Sequence, residues 1–193
     1  MNPETIIILN GASSSGKTSL CKELQRALLD PYIHLEEDRF VYGTYHGRYL
    51  QPGIVEQTFT KTMLGYYRSI AAFASAGHNV LADTGFYSRD LLSVCVQELA
   101  PLRVWLVGVH CSLSELERRE AERKDREPGQ AREQHSTIHT DALYDIEVDT
   151  SAFSLSECAL QIKARIESDA DPAAMRSLKT KMTSSLTEQQ RRF

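Results

Sequence analysis

Cysteine is scarce and scattered in this chain. Its four copies, Cys21, Cys95, Cys111 and Cys158, form no CxxC pair. That excludes a metal knuckle and a thioredoxin-like motif and leaves buried, reduced thiols as the expectation. Long apolar runs are missing too: no stretch approaches the roughly 18 consecutive apolar residues of a membrane span. The amino terminus, MNPETIIILNG, carries no basic leader, so a cytoplasmic protein without a membrane partner is expected. Nor is there an excess of positive charge. With 22 Lys+Arg against 26 Asp+Glu the formal charge is −4, which gives general electrostatics no hold on nucleic acid. A composition of 41% hydrophobic and 25% charged residues is that of an ordinary soluble domain. A length of 193 residues suits one α/β domain with a real core rather than two.

The periodicities that are present alternate between two kinds. Thr5 to Asn10 is a short β-branched apolar run that stops at a glycine, and it predicts a buried strand. Lys17 to Leu29 has helical spacing and is ended by Asp30-Pro31. A second strand, Tyr32 to Leu35, delivers Glu36, Glu37 and Asp38 at its carboxyl end, and residues 39–55 read as loop or broken helix. A long helix is predicted over about Val55 to Ala76, closed by Gly77. Next come a strand over Asn79 to Ala82 ending at Asp83, a helix over Arg89 to Leu99, and a strand over Val104 to Val109. Ser112 and Glu115 predict a capping box that opens a charged helix to about Lys124, and 125–139 reads as an exposed mobile segment. Ile146 to Val148 is a fifth strand, and a second capping box, Ser154 with Glu157, opens a helix to about Glu167. Five strands alternating with helices imply a parallel sheet covered on both faces. The polar remainder, 168–193, has only Met175, Leu178, Met182 and Leu186 in apolar register, and reads as a frayed appendage or a marginal helix.

The strongest single signal is Gly11-Ala12-Ser13-Ser14-Ser15-Gly16-Lys17-Thr18, a match to GxxxxGK[ST] between a predicted strand and a predicted helix. Small residues let successive N–H groups curl inward on an anion, with the helix dipole behind them. Lys17 then meets the β- and γ-phosphates of ATP, and Thr18 can ligate Mg²⁺. The motif specifies a nucleoside triphosphate but not its use. No NKxD guanine-reading tetrapeptide is present. Asp83, at a strand end, suits either a magnesium-bound water or a turn. Arg119, Arg123 and Arg126 fall on successive turns and suit either closure over phosphates or an exposed helix laced with Glu–Arg pairs. Asp38 can orient an acceptor hydroxyl and take its proton, with Glu36 and Glu37 as positional competitors. The rings that follow, Phe40, Tyr42, Tyr45, His46 and Tyr49, suit either a cyclic acceptor or the packing of a lid.

Taken in order, IIILNGASSSGKTSL, Asp38, AGHNVLADTGF, VWLVGVHC, REAERKDR and YDIEVDTS resemble the chloramphenicol phosphotransferase-like P-loop kinases over about residues 5–165. The resemblance implies a three-layer α/β/α fold similar to shikimate and nucleoside monophosphate kinases, with a lid at about 118–139. It implies transfer of the ATP γ-phosphoryl to a hydroxyl of a small antibiotic. It assigns Asp38 as base, with Lys17, Arg123 and Arg126 completing the catalytic set. Gly11 to Ser19, Arg119, Arg123, Asp149 and Thr150 are assigned to the nucleotide, and Thr18 with Asp83 to the metal. Where the family has two adjacent acidic residues after the third strand, this chain has Asp83-Thr84, and Arg39 to Gln51 departs from the pattern. The expected cofactors are ATP and Mg²⁺, and the expected partner is a small hydroxylated, ring-bearing acceptor rather than chloramphenicol itself. A homo-oligomer is left open. Two alternatives stand beside this reading. One is a nucleoside or nucleotide kinase using Arg39, Arg48, Arg68 or Arg89. The other is an ATP-binding regulatory module using the 168–193 tail.

Overall fold

Strand β1 (Ile6–Asn10) is buried along its whole length, and the rest of the molecule is arranged about it. The computed structural model describes residues 4–44, 52–123, 129–168 and 170–190. Strands β2 (Tyr32–Glu36), β3 (Asn79–Thr84), β4 (Val104–His110) and β5 (Ile146–Asp149) join β1 in one parallel sheet of order β2-β3-β1-β4-β5. Alternation along the strands feeds two cores. Ile6, Ile8, Val80, Ala82, Val104 and Leu106 face one way, while Ile7, Leu9, Leu81, Trp105, Val107 and Val109 face the other. A strand buried on both faces must read as a continuous apolar run, and these do.

The first face is covered by helices α3 (Pro52–Ser75) and α4 (Arg89–Leu99), through residues such as Met63, Tyr66, Ile70, Leu92 and Cys95. The second is covered by α1 (Lys17–Ala27) and α7 (Leu155–Ile166), through Leu20, Leu24, Cys158 and Ile162. All four cysteines are buried and free. Among the described residues, no helix is long and apolar enough to cross a membrane. Gly77 closes α3's end at φ +91°, a backbone conformation that favours glycine. The Ser154–Glu157 capping box forms in full.

Four expectations are corrected. Residues 39–44 of the segment read as loop or broken helix belong to a continuous helix, α2 (Glu37–Thr44). Ser112 precedes α5 (Leu113–Glu122), but its side chain makes no cap bond. Glu115 turns instead to Arg118 and Arg119, because charge-assisted bonds to guanidinium outcompete a backbone N–H. The stretch expected to be exposed contains α6 (Gln130–His135), with Ala131 and Ile138 buried against Ala12, Cys111 and Leu116. Lastly, the tail forms α8 (Ala174–Gln190), and Ala174, Met175 and Leu178 sink into the α3–α4 core. These three residues suffice there because α4 and β4 supply the complementary surface.

Candidate active site

The register of the sheet brings the site together. Leu9 of β1 pairs with Asp83 of β3, which also pairs with Glu36 of β2. The turn after β1, the acidic end of β2 and Asp83 therefore emerge side by side at the carboxyl edge, where open parallel sheets bind ligands.

Between Asn10 and α1 the backbone curls into a cradle. Ser14 has φ 63° and Gly16 φ 89°, two left-handed residues in a turn of three. A Cβ on Gly11 would lie 2.5 Å from the Val109 carbonyl oxygen, so only glycine fits there. Helix α1 follows Gly16 with no side-chain cap and has no acidic residue in its first turn, leaving its positive end for an external anion. The hydroxyls of Ser13, Ser14 and Ser15 are buried without a hydrogen-bond partner, as a cradle shaped around phosphate oxygens would leave them. Lys17 Nζ donates to the Gly11 and Ala12 carbonyls at 2.7 and 2.9 Å.

Opposite the cradle stand the acidic groups. Thr18 Oγ1 donates to Asp83 Oδ2 at 2.6 Å, and the His34 imidazole lies 3.5 Å from the same oxygen. Burial would raise the Asp83 carboxyl, but His34, Thr18 and the charge of Lys17 together hold it below the ordinary aspartate value. Glu37 is buried and accepts from Thr84 Oγ1 at 2.5 Å, from the Gly85 N–H at 2.9 Å and from Tyr87 Oη at 2.9 Å. Burial pushes its carboxyl up, against the pull of those donors. One pocket is lined by Ser13, Ser14, Gly16, Lys17, Thr18 and Ser19 together with Glu37, Asp38, Asp83, Tyr87, Arg123, Gln130 and Gln134. Asp38 is half-buried on its wall.

Other expected nucleotide residues stand behind the cradle. Arg119 Nε bonds Glu115 at 2.8 Å, while its terminal nitrogens reach the Ser14 carbonyl, Thr150 Oγ1 and the Thr150 carbonyl. Thr150 Oγ1 donates to the Ser15 carbonyl at 2.7 Å. Arg119 and Thr150 thus grip the outer carbonyls and turn the N–H groups inward. The Asp149 carboxylate is engaged by Ser151 and Ala152 of its own turn. Arg126, Arg48, Tyr45, His46 and Tyr49 lie outside the described residues. Phe40 packs edge-on against Tyr66, and Tyr42 is exposed. Arg39 pairs with Glu36, and Arg68 with Glu98. Arg89 lines a neighbouring cavity of about 190 Å³ with Phe86, Tyr87, Thr137 and Asp141.

Sequence reasoning missed several participants. Asn10 donates to the Ile138 carbonyl and to Tyr144 Oη, and accepts from the Phe86 N–H, so it ties the β3–α4 loop to the segment after α6. A polar residue ending an otherwise apolar buried strand was the available signal, because such groups are paired. Gln134 Oε1 accepts the Ser13 N–H at 2.6 Å, and Glu120 accepts from the Gly129 and Ala131 N–H groups, fixing α6 over the cradle. Nothing in their spacing marks either residue.

Comparison with known proteins agrees with this geometry. The model of the family described as chloramphenicol phosphotransferase-like protein matches residues 4–167. A Mycobacterium tuberculosis H37Rv protein named "Putative O-phosphotransferase" is 32% identical over 203 residues, 93% of this chain and 89% of its own. Among solved structures, Mycobacterium tuberculosis APS kinase in complex with AMPPNP and APS is similar at TM-score 0.67 and 18% identity, over 86% of this chain and 99% of that one. Acinetobacter baumannii shikimate kinase in complex with shikimate gives TM-score 0.60 at 15% identity, over 84% and 93%. At such identities the likeness is one of fold.

Proposed function

Because the chain belongs to the chloramphenicol phosphotransferase-like family, we propose that it is an ATP-dependent O-phosphotransferase that moves the γ-phosphoryl of ATP to a hydroxyl of a small molecule. One observation carries the reading: a phosphate cradle with three unpartnered buried serine hydroxyls opens into the same pocket as Asp38 and Asp83. A phosphoryl donor and a carboxylate able to receive a hydroxyl proton then share one cleft, as in-line transfer requires.

In this reading Lys17 leaves the Gly11 and Ala12 carbonyls for the β- and γ-phosphates, and Arg123, on the pocket wall, meets charge developing on the transferred group. Arg126 is proposed for the same task from its place in the sequence alone. Thr18 Oγ1 and Asp83 are hard oxygen donors that fit Mg²⁺, which when bound neutralises charge on the β- and γ-phosphates. Arg119 and Thr150 act from behind the loop by holding its shape, and Asp149 is proposed for the nucleotide from its place in the sequence alone. Asp38 orients the acceptor hydroxyl and takes its proton as the P–O bond forms and ADP departs. Tyr87, on the same wall, offers a ring face to a cyclic acceptor. The test is calorimetric titration with MgATP, followed by ADP release across a panel of hydroxylated small molecules and nucleoside monophosphates. Uptake of one nucleotide and turnover with a non-nucleotide alcohol support the reading. Folded protein that takes up no nucleotide overturns it, and turnover confined to nucleoside monophosphates reassigns the acceptor class.

A further inference from the structure

Three metal-ligating side chains of different softness converge beside the cradle. Cys21 lies on α1, one turn beyond Thr18; His34 lies in β2; Asp83 is the penultimate residue of β3. One ligand atom from each falls within 4.8 Å of the others. Cys21 is fully buried, and the side chains of His34 and Asp83 are 8% and 6% exposed. His34 Nε2 is buried 3.5 Å from Asp83 Oδ2, close enough to hold that carboxyl low but without hydrogen-bond geometry. A buried ring nitrogen left in that condition costs free energy unless something fills the gap.

We propose that Cys21, His34 and Asp83 form a zinc site beside the phosphate-binding loop, and that filling it draws Asp83 away from the magnesium position. The donor chemistry selects the ion. Magnesium takes oxygen ligands and waters, whereas thiolate with imidazole and carboxylate is a borderline-soft set that suits zinc. Around a tetrahedral zinc, ligand atoms stand roughly 3.3–3.8 Å apart, so the 3.5 Å His34–Asp83 separation already matches and Cys21 needs only a small approach. The other ring nitrogen of His34 faces Glu36 Oε1 at 3.9 Å, which leaves Nε2 to the metal and lets a carboxylate orient the ring. Asp83 and Thr18 line the open pocket, which supplies the way in. As the Zn–S bond forms, the Cys21 thiol releases its proton to solvent, and no electron is exchanged.

The first half of the proposal stands without any kinase activity; the competition for Asp83 rests on the function proposed above. Full-length protein, kept reduced, is titrated with Co²⁺ alone. One ion per chain should produce the visible absorption of tetrahedral cobalt and a near-ultraviolet thiolate-to-cobalt band, both bleached by one equivalent of Zn²⁺. Cys21→Ser should lose the near-ultraviolet band and weaken binding about a hundredfold or more, and His34→Gln should keep the band with a similar loss of affinity. If Cys21→Ser does not fold by circular dichroism, His34→Gln carries the comparison. A folded wild type with no band overturns the site, as does a band of unchanged affinity in folded Cys21→Ser or, where that variant fails, in folded His34→Gln. Calorimetry with MgATP then tests the competition. Zn²⁺ should weaken nucleotide binding about tenfold or more in the wild type and leave Cys21→Ser unaffected. Zinc binding without that effect overturns the competition alone.

Discussion

Glu37 and Asp38 are chain neighbours with opposite surroundings, and burial separates their tasks. Glu37 is committed to Thr84, Gly85 and Tyr87, so it clasps the β3–α4 loop. Asp38 lies on the pocket wall, half-buried, where a substrate can reach it. In the sequence Glu36 and Glu37 competed with Asp38 by position, because a strand end does not say which side chain turns inward. For Asp38→Asn, phosphoryl transfer should fall about 10²–10⁴-fold with MgATP affinity nearly unchanged, read by ADP release beside calorimetry. Equal losses in both measurements would remove Asp38 from the acceptor side. For Glu37→Gln, an amide N–H₂ is set among donors that expect an acceptor. Unfolding free energy should drop by ~1–3 kcal/mol in urea melts, and a variant as stable as the wild type would mean the clasp is unimportant.

At the scale of elements, what was legible is what a single segment determines for itself. Helix α4 runs over Arg89–Leu99, as its spacing and the following Pro101 dictate, and the Ser154–Glu157 box forms because both partners are local. Elements stabilised by a distant surface were misread. Helix α8 has a weak stripe of its own, but Leu178 is fully buried against the α3–α4 core. Leu178→Ala should cost ~2–5 kcal/mol by chemical denaturation, while an appendage that merely frays would show no change. Helix α6 is likewise held by Glu120 from α5, which keeps Gln134 on the Ser13 N–H. In the proposed nucleotide complex a phosphate oxygen displaces that amide. Gln134→Ala should therefore tighten MgATP by up to about tenfold, one net hydrogen bond's worth. Weaker binding would instead make Gln134 a contact that the nucleotide keeps.

For the whole molecule, the sheet order β2-β3-β1-β4-β5 gathers loops from distant parts of the chain at one edge. The cradle and its strand–turn–helix setting were legible because the motif is continuous. The Asn10–Tyr144–His139 connection was not, since its members are 134 and 5 residues apart and no local pattern links them. Its last member, His139, gives folding a pH dependence. Asn10 donates to Tyr144 Oη at 2.5 Å, and the Tyr144 hydroxyl, 2.6 Å from His139 Nδ1, donates onward to a neutral ring. Burial, then the nearby His110 and Lys17, lower His139 to about 4 from an ordinary 6.5. Between these values the unfolded chain binds a proton that the folded chain refuses, so stability falls as pH drops from about 6.5 to about 4. The half-exposed ring limits the loss to ~1–2 kcal/mol. The opposite class, Asp83, Asp149 and Glu157, has carboxyls held below their ordinary values. Their contribution is complete above the unfolded values and is lost only at lower pH, as each carboxylate is protonated. Urea midpoints measured across this range should show a first decline that His139→Gln removes and a second, steeper one below about 4 that it leaves in place. If the variant follows the wild type throughout, His139 is protonated in the folded state and the Tyr144 hydroxyl points elsewhere.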